Sequence, residues 1–320
     1  MIGQTLVPVV THLPIAPEYT DLETSILRTV AYSDVFDYPL TVSEVTRYLI
    51  GMFASQEEIV AALLSGSSKM NQLSITRGYF TLAGRESLVG LRQRRELVGQ
   101  RRWPAVQRYG RWIAALPYVR LVAVTGALAV NNEDGPDLDF LVVTAHGRVW
   151  LCRGLVMLIG RWARRFGDEI CPNYFLAESS LRLAEQNLYT AHEMSQMVPL
   201  FGMDTYQWMR RLNPWVELFL PNAVGVPERT ETVALQAAAP SFARRATERL
   251  LWTAPGNWVE NWEMHRKVRM LRSQETDESE TGFCRDWCKG HFGGYGKKTR
   301  EAYRARLQAL GVAEELWELK

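Results

Sequence analysis

Val124-Thr-Gly-Ala-Leu-Ala-Val-Asn-Asn-Glu-Asp-Gly-Pro-Asp-Leu-Asp-Phe-Leu-Val-Val143 joins two apolar, β-branched-rich runs through a glycine turn, a helix-sized step and a polar, turn-forming segment at residues 131–136. The runs at 120–124 and 138–143 read as neighbouring strands. Side chains on a strand alternate between faces, so Asp137 and Asp139 project to one side while Leu138 and Phe140 face the core. Two aligned carboxylates make an oxygen-ligand site for Mg2+ (or Mn2+), a hard cation whose coordination substrate phosphates commonly complete. Gly126, between Thr125 and Ala127, lets the backbone approach a triphosphate closely, and the amides that follow it are placed to bind phosphate oxygens.

Working outward, residues 149–166 have helical character and 170–176 read as a further strand, so strands and helices mix in an α+β arrangement. Asn173 is the central polar residue of that strand. It can coordinate weakly but cannot take a proton, and Asp168, Glu169 and Glu178 flank the strand as substitutes. Upstream, helical patterns cover 22–32, 41–49 and 55–64. Thr41 and Ser55 each precede a glutamate three positions on, Glu44 and Glu58, the reciprocal cap that satisfies orphan amides at a helix start. Two β-like runs around Arg77-Gly78 predict a hairpin within 73–82. Three helices followed by a hairpin describe a winged helix.

An apolar residue, Gly, then Gly or Ser, nine to thirteen residues and Asp-x-Asp is the signature of the polymerase-beta-like nucleotidyltransferase superfamily. Thr125-Gly126-Ala127, nine residues and Asp137-Leu138-Asp139 resemble it. The wider chain, at residues 31–40 and 187–193, looks like bacterial members with an N-terminal winged helix. The resemblance implies a mixed sheet with flanking helices and transfer of a nucleoside monophosphate from an NTP to a hydroxyl acceptor, which could be RNA, a protein side chain or a small molecule. Asp137 and Asp139 would hold the metal; Thr125, Gly126 and Ala127 would meet the nucleotide. Family catalysts add a third carboxylate on a later strand, the place taken here by Asn173. Ala127 departs from the family's Gly or Ser and removes one side-chain hydrogen bond to phosphate. These two departures favour the alternative, a nucleotide-binding regulatory or scaffold protein using its winged helix for partner contacts.

The expected organisation is a winged helix at 20–84, a basic helical connector at 85–111, a nucleotidyltransferase domain at 112–220, a linker at 221–240 and a C-terminal helical region at 241–320. Helical patterns at 244–252, 257–272 and 299–310 support the last, and the acidic run 273–281 reads as a mobile loop.

Other signals weigh against particular partners. Residues 20–82 hold seven acidic and four basic side chains, and the third helix pattern has no Lys or Arg, which argues against duplex DNA, whose affinity is largely phosphate neutralisation. The connector has eight arginines against two acids, read either as a guide for a nucleic-acid acceptor or as a solvated helix face. Cys284, Cys288 and His291 form a thin zinc pattern. Lys297 or Lys298, after a glycine-rich stretch, could meet a phosphate. His192 reads as an interior histidine, and tryptophans such as Trp208, Trp215, Trp252, Trp258 and Trp262 as packing residues. In 320 residues, 47% hydrophobic with a formal net charge of +2, there is material for a sizeable core and no global charge that names a partner. Four scattered cysteines and no apolar run near the roughly 20 residues of a bilayer span predict a cytoplasmic protein with no membrane partner.

Overall fold

A computed structural model describes residues 21–133, 135–235, 242–272, 280–291, 294–314 and 317–318. The N-terminal unit comprises α1 (Leu22–Asp34), β1 (Leu40–Thr41), α2 (Val42–Arg47), α3 (Gln56–Leu63), β2 (Leu73–Thr76) and β3 (Tyr79–Leu82). Both expected capping boxes form, at Thr41/Glu44 and Ser55/Glu58. The hairpin pairs Thr76 with Tyr79, and its two turn residues, Arg77 and Gly78, both have positive φ, which suits the right-handed twist of the strands. β1 adds a third antiparallel strand beside β3.

α4 (Leu88–Ala115) then runs 28 residues without a break, past the expected connector boundary at 111 and onto the central sheet. Three of its arginines are held in ion pairs. Arg92 is buried between Glu44 and Glu96 and lies over the ring of Tyr38. Arg102 and Arg108 both pair with Asp168, and the preceding Arg85 pairs with Asp34 and Asp37. Arg94, Arg101 and Arg111 remain exposed.

The rest of the chain supplies β4 (Val119–Val124), α5 (Gly126–Ala129), β5 (Asp137–Thr144), α6 (Val149–Ala163), β6 (Glu169–Ala177), α7 (Leu188–Gln196), β7 (Val198–Phe201), α8 (Met203–Leu212), α9 (Val216–Phe219), α10 (Arg229–Val233), α11 (Phe242–Leu251), α12 (Ala254–Arg272), β8 (Glu280–Phe283), β9 (Trp287–His291) and α13 (Tyr295–Ala309). The strands form one mixed sheet in the order β7-β4-β5-β6-β9-β8. β5 and β6 are parallel through α6, and the other pairs are antiparallel. Pro199 sits in β7, at an edge, where a missing ladder donor costs least.

Alternation along the strands splits the core in two. Val122, Val124, Leu138, Phe140 and Val142 pack with α4 and α6 on one face; Leu121, Ala123, Leu141 and Val143 pack with α7, α8 and α13 on the other. Asp137 and Asp139 keep step with Leu141 and Val143. They therefore emerge on the α7 side.

The C-terminal part differs from a purely helical region, because the β8–β9 hairpin extends the central sheet through β6. Main-chain pairing, to which Cys288-Lys-Gly-His291 contributes little β propensity, makes this strand. The expected mobile loop falls largely on 273–279, outside the described residues, and its last two positions begin β8. Nor is 221–235 a bare spacer: α10 buries Val233, and the Leu235 amide donates to the Leu200 carbonyl. Of the five tryptophans read as packing residues, Trp215 is buried, whereas Trp208, Trp252, Trp258 and Trp262 are exposed. Trp258 and Trp262 are four residues apart on the outer face of α12, so helical periodicity alone does not separate a core stripe from an exposed one. Among the described residues no helix is long and apolar enough to cross a membrane.

Candidate active site

β4 ends at Val124, opposite Phe140 of β5, and the Thr125 amide donates to the Asp139 carbonyl. The chain can then turn only through left-handed backbone, and Gly126, with φ of +66°, takes that position. A Cβ built there would lie 2.4 Å from Asp139 Oδ2. The glycine thus makes room for the carboxylate itself.

Asp137, Asp139, Gly126 and Ala127 line a cleft of about 550 Å3, whereas Thr125, expected beside them, lines a neighbouring chamber instead. Asn173 joins them because the β5–β6 register slips: Asp139 pairs with Cys171, but Leu141 pairs with Tyr174. Two residues, Pro172 and Asn173, oppose one, Phe140, and Pro172 has no amide to offer the ladder. The bulge aims Asn173 at the carboxylates, and its Nδ2 donates to Asp139 Oδ1 at 2.7 Å.

Burial pushes the Asp139 carboxyl up to about 7 against the lowering effect of the Asn173 hydrogen bond, with Asp137 and Glu133 adding repulsion. Burial, with Asp137 and Asp139 beyond it, pushes the Cys171 thiol up to about 12, and its Sγ lies 3.8 Å from Asp137 Oδ1 as a protonated neighbour. Crowded, partly desolvated carboxylates, with no Lys or Arg among the described residues that line the cleft, are an oxygen-donor set that a hard divalent ion fits. Among the described residues no three His, Cys, Asp or Glu side chains gather as a metal-ligating group, so the chain offers the aspartate pair and Asn173.

The sequence substitutes for a third acid do not line the cleft. Asp168 is held by Arg102, Arg108 and the Tyr109 hydroxyl; Glu169 is exposed; Glu178 pairs with Arg120 at the far end of β6. The carboxylate that does line it is Glu193, from α7. Burial pushes it up to about 7, the Asp139 charge adds to the rise, and Lys289 opposes it. In the sequence Glu193 stands beside His192 with no motif of its own that marks it for the cleft. The available signal was the Asn187 cap, which fixes the phase of the helix: its side chain accepts the Thr190 amide.

His192 is a buried interior histidine, as read, with Nδ1 3.0 Å from the Leu188 carbonyl and its ring stacked on Tyr32 at 3.9 Å. Tyr32, Phe36 and Tyr38 bring the N-terminal unit into the cleft wall. Lys297 does not line the cleft. Tyr295 does, and on a helix a residue two positions on points to the opposite side. The glycine-rich stretch before it falls partly on 292–293, outside the described residues. Cys284 and Cys288 belong to the β8–β9 hairpin, where Cys288 is buried and the Cys284 sulfur accepts the Asp286 amide.

No family model, curated protein or solved structure matches this chain.

Burial depresses the His192 pKa to about 4. A base whose folded pKa lies below its unfolded value of about 6.5 stabilises the fold fully above that value and progressively less as pH falls towards 4. Between pH 7 and pH 4.5 this residue is expected to remove roughly 2–3 kcal/mol of stability. Urea unfolding of His192→Phe, which keeps an aromatic ring against Tyr32, should lack that part of the acid loss. An equal loss in both proteins would refute the assignment.

Proposed function

We propose that the chain is a Mg2+-dependent nucleotidyltransferase that moves a nucleoside monophosphate from an NTP to a hydroxyl acceptor. The observation behind this reading is that Asp137, Asp139 and Glu193 line one cleft beside the Gly126 turn. Asp137 and Asp139 would hold the metal, which when bound neutralises phosphate charge and activates an attacking oxygen. Gly126 and Ala127 present backbone to the triphosphate, a role for which Ala127 needs no hydroxyl. Asn173 holds the Asp139 carboxylate in one orientation. Glu193, kept near neutral pKa by burial, stands as the base that receives the acceptor proton.

The N-terminal unit, with three helices and a three-stranded antiparallel sheet, supports the winged-helix reading. Its partner is the rest of this chain. The α2–α3 connection is held by Asn222, which donates to the carbonyls of Thr46 and Ala54, and the Gly51 amide donates to the Phe219 carbonyl. Cleft wall, not duplex reading, is the role this packing favours. The four cysteines, all free thiols, support a reducing, cytoplasmic setting.

Isothermal titration with each NTP, with and without Mg2+, tests the reading; binding of no NTP under either condition rejects it. Transfer of α-phosphorus label distinguishes an enzyme from a nucleotide-binding scaffold. Glu193→Gln is expected to lower kcat roughly 100-fold with NTP affinity unchanged, and full activity in that variant would remove Glu193 from the mechanism.

A further inference from the structure

The cleft has a neighbour. A second chamber of about 410 Å3 lies on the α7 side of the sheet and shares Asn173, Tyr189 and Glu193 with the cleft. The aspartates, Gly126 and the N-terminal aromatics line only the cleft. The second chamber is built differently. The β6 bulge that aims Asn173 at Asp139 also brings the next residue, Tyr174, to the same side, so both line the chamber. Trp287 of β9 closes it beside Tyr174, and Leu141, Met194 and Met209 make an apolar floor. At the polar end the buried Lys289 Nζ pairs with Glu185 at 2.5 Å, and Glu185 is half exposed on the segment between β6 and α7.

We propose that this chamber holds the acceptor, a compact hydroxyl-bearing small molecule with an apolar or aromatic body, and that RNA and protein are not substrates. The inference rests on the nucleotidyl-transfer reading above. Attack on the α-phosphorus must come from the side opposite the departing pyrophosphate, so donor and acceptor need two compartments that meet at the reacting atoms. Here the shared wall is Asn173 and Glu193, next to Asp139. In the transfer the acceptor oxygen bonds to the α-phosphorus, the bond from that phosphorus to the bridging oxygen breaks, pyrophosphate leaves with the electron pair, and the acceptor proton passes to the Glu193 carboxylate on the shared wall. Size decides the class. A chamber of this volume is at the lower end of small-molecule sites, roughly 300–1,000 Å3, and its mainly apolar lining with a few convergent polar groups is their usual composition. A nucleic-acid strand needs instead an open, cationic groove along its backbone. The Lys289–Glu185 pair offers one cation and one anion to a polar tail.

The test uses the full chain, α-phosphorus-labelled NTPs and three acceptor preparations: dialysable small molecules, total RNA and total protein. Label is expected in a dialysable product other than the nucleotide. Thr190→Trp, which places an indole in the chamber from α7, should cut that transfer roughly 100-fold while NTP binding is unchanged. Ser180→Trp fills the same chamber from a loop and serves if the first variant does not fold. Label in RNA or protein overturns this inference and leaves the transfer reading standing. Label nowhere, with NTP bound, overturns both. Loss of NTP binding in both folded variants would show that the nucleotide occupies the chamber, and the acceptor assignment falls.

Discussion

Combining Asp137→Ala with Asp139→Ala is expected to lower NTP turnover by roughly 10^3-fold or more and to abolish the Mg2+ dependence of NTP binding. The two carboxylates are strand-borne oxygens lining one cleft with Gly126, and a divalent ion held there would supply several kcal/mol of charge stabilisation, at about 1.4 kcal/mol per tenfold. Stability should move the other way. Asp139 sits with its carboxyl pushed up to about 7 chiefly by burial, and Asp137 and Glu133 repel it, so removing the pair relieves a native-state cost. A urea midpoint at or above wild type together with lost turnover is the expected pattern. Undiminished NTP affinity with Mg2+ in the double variant would remove the metal from the account.

Gly126→Ala should be nearly as damaging, although it adds one methyl. Its backbone is left-handed, which costs roughly 1–2 kcal/mol for an alanine, and the methyl would stand 2.4 Å from Asp139 Oδ2. The carboxylate must swing away, and with it go the bond from Asn173 and the alignment with Asp137. Displacement on this scale costs roughly 100-fold in rate. Gly167→Ala isolates the backbone part, since Gly167 has φ of +77° with nothing within 4 Å of a built Cβ. Destabilisation at least as large in Gly126→Ala as in Gly167→Ala, with activity lost only in Gly126→Ala, is the expected result. Full activity in Gly126→Ala would mean that Asp139 does not need its present position.

The sequence is legible where the physics is local. The boxes at Thr41/Glu44 and Ser55/Glu58 and the Arg77-Gly78 hairpin involve contacts across two to four residues, so side-chain chemistry and φ preference settle them. The same holds for the facing of Asp137 and Asp139, which follows from strand alternation once 137–144 is a strand. The fate of the connector arginines was not legible in this way. Eight arginines against two acids suggest a solvated or nucleic-acid-facing arm; Asp34, Glu44 and Asp168, each distant in sequence, pair with Arg85, Arg92, Arg102 and Arg108, while Arg94, Arg101 and Arg111 keep a solvated face.

What the sequence determined by itself is therefore an α+β chain with two acids on one strand face beside a glycine turn, because alternation, caps and turn chemistry act over a few residues. Tertiary structure alone decided that Glu193 from α7, and no acid flanking β6, joins them; that a slip at Pro172-Asn173 turns an amide onto Asp139; and that a C-terminal hairpin completes the sheet. Each depends on register or packing between segments far apart in the chain, and such pairings are selected by the total burial and hydrogen bonding of the fold, which no short window of residues contains.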